Sequence, residues 1–253
     1  LAAFEVVNSF HPNAFTLSAL KQTALLYQQK EMYNMALDKY ILIDDLAETV
    51  EMQLFAKQGL MACYFELAEY ADAITQAELV LNSGRVDESL VLELNTFVAR
   101  AAFLDLNRDL AVEKYRYVDN ASQGELKAEA MYHLAYLAFY EGDYELSKQI
   151  VFEQSRLLPL YKKWLGKSFI VLAKNYWEEE DVFQAIHTLD QLIINIDDSE
   201  VLQQARSLKA EILAKEQGLA ADLSLGLDSV LILDSLPITD SISTKDTLNI
   251  SED

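Results

Sequence analysis

The sequence predicts an all-α solenoid: about five stacked helix-turn-helix units, a capping helix, and a non-helical tail. Three observations predict it. Helix breakers are scarce, with 7 Gly and 3 Pro in 253 residues, a composition that disfavours strand-and-turn folds. A small residue recurs at Ala36, Ala73, Ala111, Ser147 and Ala185. A polar break precedes each of these anchors, in "QQKEMYN", "ELAEY", "DLNRD", "YEGDY" and "EEEDV".

Other positions keep the same register. Twelve residues before the anchors stand Ala24, Met61, Ala99, Ala135 and Ala173; nine before stand Tyr27, Tyr64, Ala102, Ala138 and Tyr176. Three before stand Tyr33, Tyr70, Arg108, Tyr144 and Val182; seven after come Ile43, Val80, Val118, Gln154 and Leu192. Each unit is therefore two amphipathic helices whose small residues permit close approach while tyrosines fill the space beside them. Neither helix buries its apolar face alone, so neighbouring units must stack. Gly142 supplies the positive φ that the sharpest turn needs.

At the N-terminus, "LAAFEVVNSFHPNAF" reads as the last turns of a helix ended by Pro12, with Phe4 and Val7 on its apolar side. The expectation is that residues 1–15 close a preceding repeat, and that the chain is the C-terminal part of a longer array. Residues 16–217 form the solenoid, with 200–217 as its capping helix. From 218 the pattern changes: Asp222, Asp228, Asp234, Asp240 and Asp246 stand six apart, and apolar residues in 228–250 favour alternate positions. This tail reads as a disordered acidic segment, or as a segment that pairs with a sheet edge or docks in a groove.

Charge and composition exclude several functions. The formal net charge is −21, and the tail contributes seven acids and one lysine to it. Phosphate backbones require clustered cations, so nucleic acid is not an expected partner. No apolar run approaches the length of a membrane span, so direct insertion is not expected. The single cysteine, Cys63, precludes an internal disulfide. His11, His133 and His187 lack metal-ligand spacing, and "EEED" at 178–181 lacks the alternation of a calcium loop. No phosphate-cradling loop or nucleophile elbow is present. The expectation is a non-catalytic protein without cofactor or metal.

The stretches "ALKQTALLYQQKEMYNMALDKY" and "MYHLAYLAFYEGDYELSKQ" resemble the tetratricopeptide repeat (TPR) motif of small residue, tyrosine, turn, tyrosine and alanine. Pro159 falls where that family places its repeat-ending proline. The resemblance covers residues 16–198. It departs from the family in its slightly longer units, in lacking the family tryptophan, and in a weak third unit carrying Arg108. It implies a right-handed superhelix whose first helices line a concave, protein-binding face. Carried over residue by residue, the inward positions are Lys21, Leu25 and Gln28, then Gln58, Ala62 and Phe65, then Thr96, Arg100 and Phe103. The fourth unit gives Tyr132, Tyr136 and Phe139 with Tyr140 beside them, and the fifth gives Ile170, Lys174 and Trp177.

The expected groove is aromatic, flanked by Arg100 and Lys174, and suited to a peptide with apolar side chains and a carboxylate. The alternative is that these aromatics pack between repeats. The family's carboxylate clamp is not expected, because Leu25, Gly59, Glu93 and Phe97 stand where its other members would be. The leading function is therefore a scaffold that holds a partner protein's segment. Occupation of the groove by the chain's own tail is the second, and an enzyme on a helical solenoid the third. Self-association through the N-terminal end or the tail is a further expectation. The resemblance also implies cell-envelope assembly factors, hence an envelope location, with the cytoplasm as alternative.

Overall fold

The computed structural model describes residue 6 and residues 15–234, with side chains to residue 218. Among the described residues it consists of helices packed in consecutive pairs. Repeat 1 is α1 (Thr16–Gln29) and α2 (Tyr33–Leu46); repeat 2 is α3 (Val50–Glu66) and α4 (Tyr70–Leu81). Repeat 3 is α5 (Glu88–Leu104) and α6 (Arg108–Ala121); repeat 4 is α7 (Gly124–Tyr140) and α8 (Tyr144–Leu157). Repeat 5 is α9 (Lys162–Glu178) and α10 (Val182–Asn195), and α11 (Ser199–Asp234) follows.

All five turns within repeats are built alike. Five residues before each anchor stands one residue with positive φ: Glu31, Ala68, Leu106, Gly142 and Glu180. In repeat 1 the Met32 N–H donates to the Tyr27 carbonyl at 2.9 Å and the Glu31 N–H to the Gln28 carbonyl at 3.0 Å. The same two bonds recur in the other four turns, such as Asp181 to Tyr176 at 2.8 Å with Glu180 to Trp177 at 3.0 Å. This is the Schellman arrangement, which satisfies carbonyls that a helix end leaves orphaned. Only one of the five positions holds glycine, so four carry the steric cost of a left-handed residue with a side chain. The next residue then caps the second helix: Asn107, Asp143 and Asp181 accept from Leu110, Leu146 and Gln184.

The register seen in the sequence is the core. The five anchors are completely buried, as are Ala24, Ala99, Ala135 and Ala173. Seven residues on, Ile43, Val80, Val118, Gln154 and Leu192 are buried too. Where repeat 4 is polar at these places, α9 supplies partners. Asn175 donates to Ser147 Oγ at 2.8 Å, Ser168 donates to Gln154 Oε1 at 2.6 Å, and Gln154 donates to the Ala128 carbonyl at 3.0 Å. A polar seam therefore joins repeats 4 and 5 where the others use aliphatic contacts, with most of its buried groups bonded and Asn175 Oδ1 left without a hydrogen bond. Gly59 permits the α2–α3 contact, because a Cβ there would overlap the Tyr40 ring.

The last helix departs from expectation. It packs on repeat 5 through Val201, Ala205, Leu208 and Ile212, then continues to Asp234, well past the boundary placed at 217. Helix therefore replaces the strand-like period read in 228–234. The segment is rich in Leu and Ala, and the first strong stop is Pro237, which disfavours helix at the residue before it. Residues 235–253, with the last of the six-residue units, lie outside the described residues. So do residues 1–5 and 7–14, and with them the expected end of a preceding repeat.

Candidate functional site

The first helices of successive repeats share one face, and their side chains meet across it. At the N-terminal end Lys21 Nζ lies 4.5 Å from the centre of the Phe55 ring, joining α1 to α3. Gln28 Oε1 accepts from the Tyr40 hydroxyl at 2.7 Å, which ties it to the second helix of its own repeat. Phe65 meets Phe97 at 5.2 Å between centroids and Tyr70 at 5.5 Å. Beside them a pocket of about 490 Å³ opens among Gln58, Met61, Glu93, Phe97, Arg100 and Leu126. The Arg100 guanidinium is held by both Glu129 carboxylate oxygens at 2.6 Å, and Glu129 is only 5% exposed. Such a two-pronged pair fixes the cation in place.

From there a run of rings crosses three repeats. Phe103 meets Tyr136 at 5.6 Å, Tyr136 meets Tyr132 at 6.2 Å, and Tyr132 meets Trp164 at 5.7 Å. Tyr140, half exposed, lies 5.1 Å from Tyr136 and under the Arg108 guanidinium. Phe139 turns toward the second helix, 5.8 Å from Tyr144. Burial, then a hydrogen bond with Tyr140, pushes the Tyr136 phenol up to about 12, so it stays a neutral donor. At the C-terminal end Lys215 covers the Trp177 ring at 4.8 Å. Lys174 lines a pocket of about 500 Å³ with Ile170, Gln203, Ser207 and the acids Glu200 and Glu211, and among the described residues it makes no ion pair.

Two contributors escaped the sequence reading, and a third, His133, entered it only as lacking metal-ligand spacing. Trp164 extends the ring run and receives Lys167 at 5.5 Å. Register could have found it, since it aligns with Leu90 and Leu126, both lining the pocket in repeats 3 and 4. Glu129, the partner of Arg100, lies in a helix otherwise read for its aromatics. His133 lies stacked on Tyr115 at 4.5 Å and edge-on to Phe103 at 4.5 Å, supporting the rings from beneath. Burial, then Arg100 and Lys167, pushes its imidazole down to about 3, so it is neutral at ordinary pH.

Chemically the site offers rings, a few cations and hydrogen-bond donors. The described residues hold no group of three or more His, Cys, Asp or Glu placed to take a metal ion. Cys63 is buried, and burial followed by Glu66 raises its thiol to about 11, which suppresses the thiolate. No described helix is long and apolar enough to cross a membrane.

Neither a family model nor a curated protein sequence matches the chain. Solved structures do match in fold. YrrB, described as a TPR protein with an unusual peptide-binding site, is 16% identical with a TM-score of 0.56, over 81% of this chain and 98% of that one. The C-terminal part of a TPR repeat-containing protein from Cytophaga hutchinsonii is 12% identical at 0.58, over 78% and 72%. Yeast Tom70 is 14% identical at 0.53; the match covers 85% of this chain and 43% of Tom70. The chain therefore has the TPR solenoid fold.

Proposed function

We propose that the chain is a non-catalytic scaffold whose first-helix face holds an extended segment of a partner protein. The observation that carries this reading is the run Phe103, Tyr136, Tyr132 and Trp164, with ring centres 5.6 to 6.2 Å apart. An extended chain presents same-side residues about 6.6 Å apart, so alternate apolar side chains of a ligand fit successive gaps between rings. Lys174 at one side suits an acidic residue or a terminal carboxylate, while Arg100, already engaged by Glu129, serves chiefly to hold the wall. Ring contacts made inside the protein also hold these side chains in place before binding, which reduces the entropy lost on association.

Affinity capture tests the reading, comparing the full chain with a Tyr136→Ala/Trp177→Ala variant of unchanged helical content. Proteins retained by the parent and lost by the variant support it. Identical captured sets from both contradict it.

A further inference from the structure

A second surface lies on the opposite side of α9. Helical spacing puts Lys174 and Trp177 on one side of this helix and Leu165, Phe169, Leu172 and Tyr176 on the other. These four line a pocket of about 520 Å³ between α8 and α10, walled by Phe152 and Leu192. Phe152 in its wall is 50% exposed, and Phe183, 75% exposed, stacks at 6.1 Å on His187 of the lining; Ile194, also 75% exposed, is on the same helix as Phe183.

The repeat register marks this as peculiar to repeat 5. At the position of Phe183 the other repeats hold Asn34, Ala71, Asp109 and Glu145; at that of Ile194 they hold Asp45, Asn82, Asn120 and Arg156. Along the floor, Leu165 stands where the other repeats hold Thr16, Gln53, Val91 and Lys127, and Phe169 where they hold Leu20, Lys57, Asn95 and Met131. At the Phe183 and Ile194 positions a large apolar side chain stands in repeat 5 alone, and exposed apolar surface beside a pocket marks a contact site. The charge is also unusual. In a chain of 41 acids, the pocket lining contains Lys162 and no Asp or Glu.

We propose that this pocket receives residues 219–234 of a second copy of the chain. That segment is the continuation of α11 past Lys215, which lies over Trp177. Ten of its sixteen residues are apolar, and its only charges are Asp222, Asp228 and Asp234. Its composition therefore complements an apolar pocket whose lining holds one cation, Lys162 (3.6 Å from Asp197), and no acid. Sixteen helical residues span about 24 Å, enough to cover the roughly 17 Å of floor from Leu165 to Tyr176. Because α11 is one continuous helix to Asp234, its extension runs on past repeat 5 and does not turn back into the pocket of its own chain. The contact is head-to-tail, with donor and acceptor surfaces on different parts of the molecule, and such contacts propagate into chains of protomers.

Sedimentation velocity of the full chain over a hundredfold concentration range tests the proposal, with Phe183→Asp in the rim and Leu223→Asp in the extension as variants. The wild type is expected to form oligomers that lengthen with concentration, and each variant alone to sediment as a monomer. An equimolar mixture of the variants is expected to form a dimer and nothing larger, since it has one intact pocket and one intact extension. A monomeric wild type overturns the proposal. Self-association that survives Phe183→Asp also overturns it, including the case where only Leu223→Asp abolishes it, because the extension then pairs with another surface.

Discussion

The two sides of α9 are built on opposite plans. Toward the first-helix face, rings and cations are engaged by neighbours in the same chain: Trp177 by Lys215, Trp164 by Lys167 and Tyr132, Arg100 by Glu129. Toward the second-helix face, Phe183 and Ile194 stand in solvent at positions the other repeats keep mostly polar. Internal contacts hold the first surface in shape for a ligand, at the cost of making several of its residues structural as well. The exposed side chains of the second surface, Phe183 and Ile194, add little to the stability of their own chain. Substitutions on the first face should therefore change both folding and binding, and those at the exposed Phe183 and Ile194 should change association alone.

The largest expected effect sharpens that difference. Arg100→Ala leaves Glu129 buried without its partner, which should cost about 3 kcal/mol of stability in urea unfolding. Replacing the pair with Met and Leu should recover most of the loss. A cost below about 1 kcal/mol for Arg100→Ala would mean that water reaches Glu129 and that the wall is not preorganised.

Acid should come next. The folded-state value for His133 is lowered to about 3 from an unfolded 6.5, so between these values the unfolded chain binds the extra proton. Stability should then fall as pH falls through this window, by about 1.4 kcal/mol per unit, and be fully retained above pH 6.5. Arg100 and Lys167 add to burial in disfavouring the imidazolium, and Tyr115 and Tyr132 pack against the ring. Urea titrations at pH 7 and pH 5 on the wild type and His133→Phe check this. The variant should be less sensitive by about 2 kcal/mol over that interval.

A smaller effect tests the turns. Gly142→Ala should destabilise by about 1 kcal/mol, while Leu106→Gly, at the equivalent positive-φ position, should stabilise by up to about the same amount. Opposite signs in thermal unfolding would support the repeated turn geometry. On the second-helix face, Phe183→Asp should change stability by less than about 0.5 kcal/mol, because the ring is mostly in solvent. A large loss there would remove the contrast between the two faces.

The sequence made the fold legible because each repeat had to solve the same packing problem. A small residue at the helix crossing and a filler seven residues later appear five times, and period is visible without coordinates. It missed the end of α11, since the short apolar run at 230–233 suits helix and strand equally, and only Pro237 separates the cases. Much of the ring run could be located by register, but its internal partners could not. Nothing local to Arg100 names Glu129, twenty-nine residues away, and nothing local to His133 names Tyr115. The second-helix pocket could have been found by asking which exposed register positions turn apolar in one repeat alone.

The most direct test of the scaffold reading is peptide display selection against the full chain, with selected peptides then titrated by fluorescence anisotropy. The wild type should be compared with folded Tyr136→Ala and Lys174→Ala variants. The account predicts peptides with alternating apolar residues and an acidic residue or free carboxylate at one end. Tyr136→Ala should weaken their binding at least tenfold, or about 1.4 kcal/mol, and Lys174→Ala should weaken it selectively for the acidic ones. Peptides that bind both variants as tightly as the wild type would contradict it.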